Sequence, residues 1–252
     1  VLGLDTLPAL NREALPSILH NPFAPEPRRA PVTDARDTLP RESLSPLAAR
    51  LDRVCARHGY DLPAAADAID AAVSGDGGLF DPSTSSTELA AAAEARLAAP
   101  TPPSRPALVF GDGRAVLYTD GSSQGNPGPA GAGAVVCDGD GNPLVRLGRP
   151  VGSHAGNNTA EYAALGLGLA ELLARGDPAP AVVEIRIDSR TVIDDVWGHR
   201  EASVGGVERY RRQIAAFLAE IPTHRYRHLE SADPNPADAL ATVGADLAAL
   251  GP

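Results

Sequence analysis

The feature that most constrains the fold is a change of hydrophobic periodicity near residue 100 of the 252-residue chain. Before it, apolar residues recur at the three- and four-residue spacing of helices. After a Pro-rich stretch, apolar and β-branched residues alternate as they do in strands. We therefore predict three parts: a helical region at 1–100, a Pro-rich linker at 101–113 and a second domain at 114–252.

The second part predicts a mixed sheet with helices packed on it. Three strands joined by short turns come first, followed by a helix, a strand, two helices, a strand and a last helix. This order is typical of an α/β domain. The predicted elements are Arg114–Asp120, Ala130–Cys137, Pro143–Arg149, Asn158–Arg175, Val182–Asp188, Arg190–Trp197, Val207–Glu220, Thr223–Leu229 and Pro236–Leu250.

The charge balance argues against one broad class of function. The chain has 22 basic residues, all of them arginine, and 32 acidic residues, for a formal net charge of −10. Such a charge repels nucleic acid at long range, so we do not expect a protein that coats DNA nonspecifically. An acidic surface without lysine fits a halophilic protein, although a GC-rich genome would also favour arginine.

Membrane, secretory and disulfide-rich classes are also disfavoured. No apolar run reaches 18 residues and no basic-then-apolar leader is visible, so we expect a cytoplasmic protein without a membrane span. Cys55 and Cys137 lie in unrelated segments, and we expect both to be free thiols. The apolar content of 43% is enough for a packed core.

Four acidic residues lie where predicted elements begin or end. Asp120 ends the first strand, and Asp188 ends the fourth. Glu161 lies in the first turn of the long helix, and Asp238 opens the last helix. Side chains at such positions can converge at one edge of a sheet, although each acid alone could equally be a helix cap or a solvated strand end.

Converging carboxylates predict a cation site. Several carboxylates in one place repel one another and raise their own pKa values unless a cation lies between them. Oxygen ligands without histidine or cysteine favour Mg²⁺ or Mn²⁺, and such clusters commonly hold two ions and hydrolyse phosphodiesters.

A glycine-rich turn follows the first of these acids. Residues 120–129 read DGSSQGNPGP, and the glycines on either side of Asn126-Pro127 let the backbone approach a ligand closely. The GK[ST] ending of a phosphate-binding P-loop is absent, so the turn by itself is a weak indication.

In four segments of its sequence, the chain resembles the type 1 ribonucleases H. The family's first block, YTDGSxxGNPGPxGxGxV, is matched by residues 118–135, and its second, NNxAEYxAL, by residues 157–165. The third is a β-branched strand ending in DS, at residues 185–189, and the fourth is ADxLA, at residues 237–241. The resemblance covers about residues 114–250 and looks most like the archaeal and actinobacterial branch.

This resemblance implies an RNase H-like mixed five-stranded sheet flanked by helices, and an endonuclease that cuts the RNA strand of RNA–DNA hybrids. It implies two ions, Mg²⁺ or Mn²⁺, and products with 5′-phosphate and 3′-hydroxyl ends. Hydrogen bonds to 2′-hydroxyls would distinguish RNA from DNA. The implied catalytic and metal-binding residues are Asp120, Glu161, Asp188 and Asp238. The implied substrate-binding residues are Gly121, Ser122, Asn126, Asn158, Ser189 and His228.

Departures from the family's pattern lie mainly before Asp238. The family's asparagine four residues upstream is replaced by Pro234, and Asn235 stands one residue later. Gln124 stands where many members have arginine, and the basic protrusion of some members is missing. His228 matches a proton-shuttling histidine of some members, although a plain strand-end histidine explains it as well.

Two other functions stay open from the sequence. The altered region before Asp238 fits a catalytically weak module that binds hybrids or single strands, and the same fold supports nucleases acting on double-stranded RNA or other nucleic acids. The arginine-rich segments 209–212 and 225–227 could follow phosphates or simply be solvated faces. Residues 1–100 contain no motif from which we recognise a family, and we expect a packing or protein-partner surface there. Nothing predicts the oligomeric state.

Overall fold

A five-stranded sheet with helices on both faces forms the centre of the computed structural model, which describes residues 38–74, 77–198 and 205–251. The first 37 residues of the predicted helical region lie outside this description. The helices are α1 (Pro46–Arg57), α2 (Leu62–Asp70), α3 (Ser86–Ala98), α4 (Asn157–Arg175), α5 (Arg190–Val196), α6 (Glu208–Glu220) and α7 (Asp238–Ala249). The strands are β1 (Arg114–Ser123), β2 (Gly128–Asp138), β3 (Pro143–Ala155), β4 (Val182–Ile187) and β5 (Thr223–His228).

The strand order β3-β2-β1-β4-β5 confirms the predicted mixed sheet. β1, β2 and β3 pair antiparallel, as expected for strands joined by short turns, while β4 pairs parallel to β1 and β5 parallel to β4. Because β1, β4 and β5 run in the same direction, their carboxyl ends meet at one edge of the sheet. That edge is where the predicted acidic residues are expected to converge.

Small residues in β2 let helix α7 lie directly on the sheet. A Cβ atom at Gly131 would lie 2.1 Å from the backbone nitrogen of Ala245, and one at Gly133 would lie 2.3 Å from the carbonyl oxygen of Ala237. Larger side chains would push the helix away, so the AGAGAVV sequence is required by the packing of α7. Helix α4 covers the opposite face of β1, β2 and β3.

Three helices lie in the described part of the predicted helical region, and each has a side-chain cap. Ser45 and Asp61 accept hydrogen bonds from the first turns of α1 and α2, and Ser85 forms a capping box with Glu88 at the start of α3. Helices α1 and α2 pack against β3, and α1 also contacts α7, so these helices are joined to the sheet at its β3 side. All described residues belong to one compact unit.

The Pro-rich segment between α3 and β1 is fastened to α4. Arg105 donates to Glu171 at 2.8 Å, and Arg175 donates through Nε to the carbonyl oxygen of Pro106 at 2.9 Å. The backbone nitrogen of Leu108 donates to the carbonyl oxygen of Arg175 at 2.7 Å. The division into a helical region, a linker and a catalytic domain stays a prediction, but these contacts make the segment part of the packing around α4.

Two sequence placements near the sheet edge were wrong in detail. Asp120 does not end β1, because the hairpin ladder continues to Ser123, which pairs with Ala130. Glu161 is not in the first turn of its helix, because α4 starts at Asn157 and Glu161 is its fifth residue. Both acids therefore lie inside regular elements, where the backbone holds their Cα atoms.

Both cysteines are buried free thiols, as predicted. Burial raises the pKa of the Cys55 thiol to about 12 and that of Cys137 to about 11, so neither is a thiolate at neutral pH. Among the described helices, none combines the length and apolar character needed to cross a membrane.

Candidate active site

Three of the four predicted carboxylates come together at the carboxyl edge of the sheet. Asp120 reaches the site from β1, Glu161 from α4, and Asp188 from the residue directly after β4. One carboxylate oxygen from each lies within 4.8 Å of the others. Asp120 and Glu161 are buried, whereas Asp188 is exposed.

A close crossing of β1 and α4 places Glu161 beside Asp120. A Cβ atom at Gly121 would lie 2.3 Å from the backbone nitrogen of Glu161, so only glycine lets the strand and the helix approach this closely. The backbone N–H of Gly121 donates to Glu161 Oε2 at 3.1 Å. Gly121, predicted to contact substrate, therefore also holds a carboxylate in place.

Two asparagines supply further donors to the cluster. Asn157 Nδ2 donates to Glu161 Oε1 at 3.4 Å, one helical turn away on α4. Asn235 Nδ2 donates to the carbonyl oxygen of Thr119 at 3.1 Å and to Asp120 Oδ1 at 3.4 Å. Each buried carboxylate therefore has a side-chain amide that orients it.

The electrostatics of the cluster are those of crowded acids. Burial raises the pKa of Asp120 from 3.8 to about 7, and the neighbouring charges of Asp188 and Asp238 add to this effect. Burial also raises the pKa of Glu161 well above its usual value, and the charges of Asp120 and Asp188 raise it further. The Gly121 N–H and the Asn157 amide act in the opposite direction on Glu161.

The donor set of this cluster fits a divalent cation. None of the three carboxylates forms an ion pair within the described part of the chain, and the donors that reach Asp120 and Glu161 are uncharged amides. Carboxylate oxygens are hard ligands, and no histidine or cysteine belongs to the group. Asp120, Glu161 and Asp188 are therefore suited to Mg²⁺ or Mn²⁺.

Asp238, the fourth predicted carboxylate, lies beside the other three without joining their tight group. It is the first residue of α7 and is exposed, and its charge contributes to the raised pKa of Asp120. Its assignment as a metal ligand stays a prediction.

His228 lies at the same edge of the sheet as Asp188. Its Nε2 is 3.2 Å from the carbonyl oxygen of Asp188, and its Nδ1 is 3.2 Å from Glu230 Oε1. The last residue of β5 thus places an imidazole next to the carboxylate cluster, although its part in substrate binding stays a prediction.

The other predicted substrate-binding residues surround the cluster. Asn126, in the turn between β1 and β2, accepts a hydrogen bond from the backbone nitrogen of Asn157 at 3.2 Å, which joins this turn to the start of α4. Ser189 caps α5, since its Oγ accepts from the backbone nitrogen of Val192. Ser122 is half-buried, and Asn158 is exposed at the start of α4.

Sequence reasoning missed the roles of Asn157, Asn235 and Gln124. Asn235 is displaced by one residue from the family position, yet its side chain reaches Asp120. Gln124 stands where many family members have arginine, and its amide donates to Asp246 Oδ1 on α7 at 2.6 Å. For Asn157, the sequence signal was its i, i+4 spacing from Glu161 on one helix, which places the two side chains next to each other.

Several known proteins are similar to this chain in the part that contains the carboxylate cluster. The reverse transcriptase-like family model matches residues 118–244. Ribonuclease HI of Halobacterium salinarum is 36% identical over 134 residues, which cover 53% of this chain and 65% of that protein. Ribonuclease H of Polaromonas naphthalenivorans is 30% identical over 149 residues, covering 53% of this chain and 88% of that protein. The chain thus spans less than two thirds of its Halobacterium relative.

A solved structure shows the same fold. The N-terminal RNase H domain of a Mycobacterium tuberculosis protein, solved as a fusion with maltose-binding protein, is 31% identical to this chain with a TM-score of 0.50. The match covers 54% of this chain and 96% of that structure. With half of its residues matched by the family model and the carboxylates clustered at the sheet edge, the chain belongs to the reverse transcriptase-like family of ribonuclease H domains.

Proposed function

We propose that this protein is an endoribonuclease that hydrolyses the RNA strand of RNA–DNA hybrids with two divalent cations, leaving 5′-phosphate and 3′-hydroxyl ends. The observation that carries the proposal is the group of Asp120, Glu161 and Asp188, whose carboxylate oxygens lie within 4.8 Å of one another. Relatives named Ribonuclease HI and Ribonuclease H support the choice of reaction.

The carboxylates of this chain would hold the ions, with Asp238 completing the set. Mg²⁺ or Mn²⁺, when bound, supplies positive charge that lowers the pKa of a water nucleophile and stabilises the leaving 3′ oxygen. The Gly121 N–H and Asn157 hold the Glu161 carboxylate, and Asn235 holds that of Asp120. These contacts fix the ligands before substrate arrives, so little reorganisation is needed in the transition state.

His228 is proposed to move a proton at the same edge. Its Nε2 faces the backbone of Asp188, next to the carboxylates, while Glu230 orients the other ring nitrogen. A histidine at this place can carry a proton between solvent and the product as it leaves.

Choice of the RNA strand is proposed to depend on hydrogen bonds to 2′-hydroxyls. Gly121 and Ser122 lie on β1 next to the carboxylates, Asn126 lies in the following turn and Asn158 lies at the start of α4. Ser189 follows Asp188, although its Oγ also caps α5. These positions favour recognition of hybrid shape and 2′-hydroxyls over recognition of base sequence.

The test is cleavage of a uniformly labelled RNA–DNA hybrid in Mg²⁺ and in Mn²⁺, at low and at molar salt. The wild-type protein should cut the RNA strand only, and D120N should cut neither strand. D67N, which removes an exposed carboxylate on α2, is the matched control and should cut like wild type.

Parallel reactions separate the alternatives. Double-stranded RNA and single-stranded DNA should remain intact, and cleavage of double-stranded RNA in preference to the hybrid would replace the proposed substrate. A wild-type protein that binds the hybrid in a gel shift but cuts nothing under any of these conditions would instead be a binding module.

A further inference from the structure

One half of the sheet face that carries α7 is lined by arginines. Paired residues of neighbouring strands point to the same face, and one such row crosses the whole sheet. This row contains Arg146 of β3, Val135, Tyr118, Arg186 of β4 and Arg227 of β5. Two further arginines share the face by strand alternation, so the arginine face is defined by Arg114, Arg146, Arg186, Arg225 and Arg227.

On the β1 and β2 side of this half, Val116, Val135 and Cys137 are buried in a cluster with Ala237, and Leu240 of α7 packs against them, so the open part of the face is its β4 and β5 side. The close backbone approach of α7 to β2 is at Gly131 and Gly133, nearer the carboxyl end of β1 than Val135 is. On β4, Val183, Ile185 and Ile187 on the opposite face are buried, whereas Glu184 and Arg186 on the α7 side are half-buried. Arg227 on the edge strand is exposed.

The arginine face is strongly positive in a chain whose formal net charge is −10. Among the described strand residues on this half of the face, Glu184 is the single acidic residue. Two arginines form ion pairs with its carboxylate. Arg186 Nε lies 2.9 Å from its Oε1, and Arg225 Nη2 lies 2.6 Å from its Oε2. Arg227 forms no ion pair within the part of the chain that the structure describes. One carboxylate therefore leaves most of this positive charge uncompensated.

The arginines are adjacent to the candidate active site. Tyr118 precedes Asp120 by two residues on β1, and Arg186 precedes Asp188 by two residues at the end of β4. Two residues along a strand correspond to about 7 Å. The row of arginines therefore begins one side-chain step from the carboxylates and extends across β4 and β5.

Part of this face is already ordered. The Arg186 guanidinium lies 5.0 Å from the centre of the Tyr118 ring and donates to the Tyr118 hydroxyl. Arginine presents a planar set of donors that matches phosphate oxygens, and an arginine held in place loses less conformational entropy on binding. The chemistry of the face therefore fits a chain of phosphodiesters.

We propose that the arginine face binds the phosphodiester backbone of the substrate where it continues past the cleavage site. This inference rests on the proposed function, because the carboxylates locate the scissile phosphate. The substrate would then be held by the cation site at one end and by Arg186, Arg225 and Arg227 beyond it. An otherwise acidic protein would thus bind a polyanion through one localised surface.

The test compares two hybrids, one just long enough to fill the carboxylate site and one extended on both sides. In R225Q/R227Q, kcat/KM for the extended hybrid relative to the short one should fall about five- to tenfold, since two phosphate contacts are lost. The slope of log Kd against log salt, measured by fluorescence anisotropy, should decrease by about 2 for the extended hybrid. R227E, which alters an exposed side chain without an ion pair, should give the same direction of change.

R50Q/R53Q is the matched control, because it removes the same charge from α1, where both arginines contact Glu94. This variant should leave the ratio of kcat/KM for the extended and short hybrids, and the slope of log Kd against log salt, at wild-type values. The proposal is overturned if R225Q/R227Q and R227E, shown to be folded by thermal unfolding, also match wild type in both measurements. If the wild-type protein cuts neither hybrid, the proposed function fails, and the anisotropy comparison still decides the role of the face.

Discussion

Helix α4 carries two buried glutamates, and their surroundings differ in one respect. Glu171 lies between two arginines, with Arg105 Nη2 at 2.8 Å and Arg175 Nη1 at 2.5 Å. Glu161, ten residues earlier on the same helix, has a backbone N–H, an asparagine amide and two other carboxylates as neighbours. Both side chains are removed from water, so both need compensation for their charge.

The difference separates a buried charge that the chain compensates from one that it leaves uncompensated. The chain supplies the positive charge for Glu171, and these ion pairs join α4 to the Pro-rich segment. It supplies none for Glu161 within the described residues, which is what the proposed cation site requires. Removing each glutamate should therefore have opposite effects.

The largest expected effect is on catalysis at Glu161. E161Q should lower kcat for hybrid cleavage by at least about 10³-fold, because it removes a cation ligand. The same change should leave the metal-free protein as stable as wild type or more stable at pH 8, since it relieves repulsion among carboxylates. Single-turnover cleavage and chemical denaturation in EDTA measure the two quantities. Loss of stability in E161Q would show that Glu161, like Glu171, stabilises the fold, and would contradict the expectation.

Removing Glu171 should instead reduce stability. E171Q should lower the free energy of unfolding by about 3 kcal/mol, because Arg105 and Arg175 lose the buried partner that compensates them. Urea denaturation followed by circular dichroism measures the change. E94Q is the matched control, since it removes an exposed partner of Arg50 and should cost less than about 1 kcal/mol.

The pH dependence of stability should also distinguish the carboxylate cluster. The pKa of Asp120 is about 7 in the folded state against 3.8 normally, so the folded state binds more protons between these values. Its contribution to stability is therefore present below about pH 4 and is lost as pH rises to 7. In EDTA, the wild-type Tm should fall relative to that of D120N over this range. Added Mg²⁺ should restore stability most at the alkaline end, and parallel profiles in EDTA would contradict the expectation.

The smallest expected effect concerns the asparagine that holds Asp120. N235A should lower kcat or weaken Mg²⁺ affinity about 10- to 100-fold, because such amides orient the ligands of a metal. Calorimetric titration with Mg²⁺ gives a readout independent of cleavage. N142A removes a comparable amide–carboxylate contact, to Asp138 at 2.9 Å in the turn between β2 and β3, and should leave both quantities unchanged.

The sequence was sufficient for the strands and helices of the sheet domain, for a mixed five-stranded sheet by resemblance, and for three of the carboxylates that cluster. Alternating apolar residues predicted the strands because burial on one face requires that period, and the AGAGAVV segment predicted β2. The exact positions of Asp120 and Glu161 within their elements were not predicted. The extent of β1 depends on backbone pairing with β2, which local residue preferences do not encode.

Contacts between distant segments were decided by the tertiary structure alone. Asn235 reaches Asp120 across 115 positions of sequence, and Gln124 reaches Asp246 across 122. The arginines of β3, β4 and β5 share a face only because the strand order places β1 between β2 and β4. The sequence by itself determined which side chains can bind a cation or a phosphate. Their convergence depended on the packing of α4 and α7 on the sheet, because sites of this kind are assembled from residues that only long-range packing brings together.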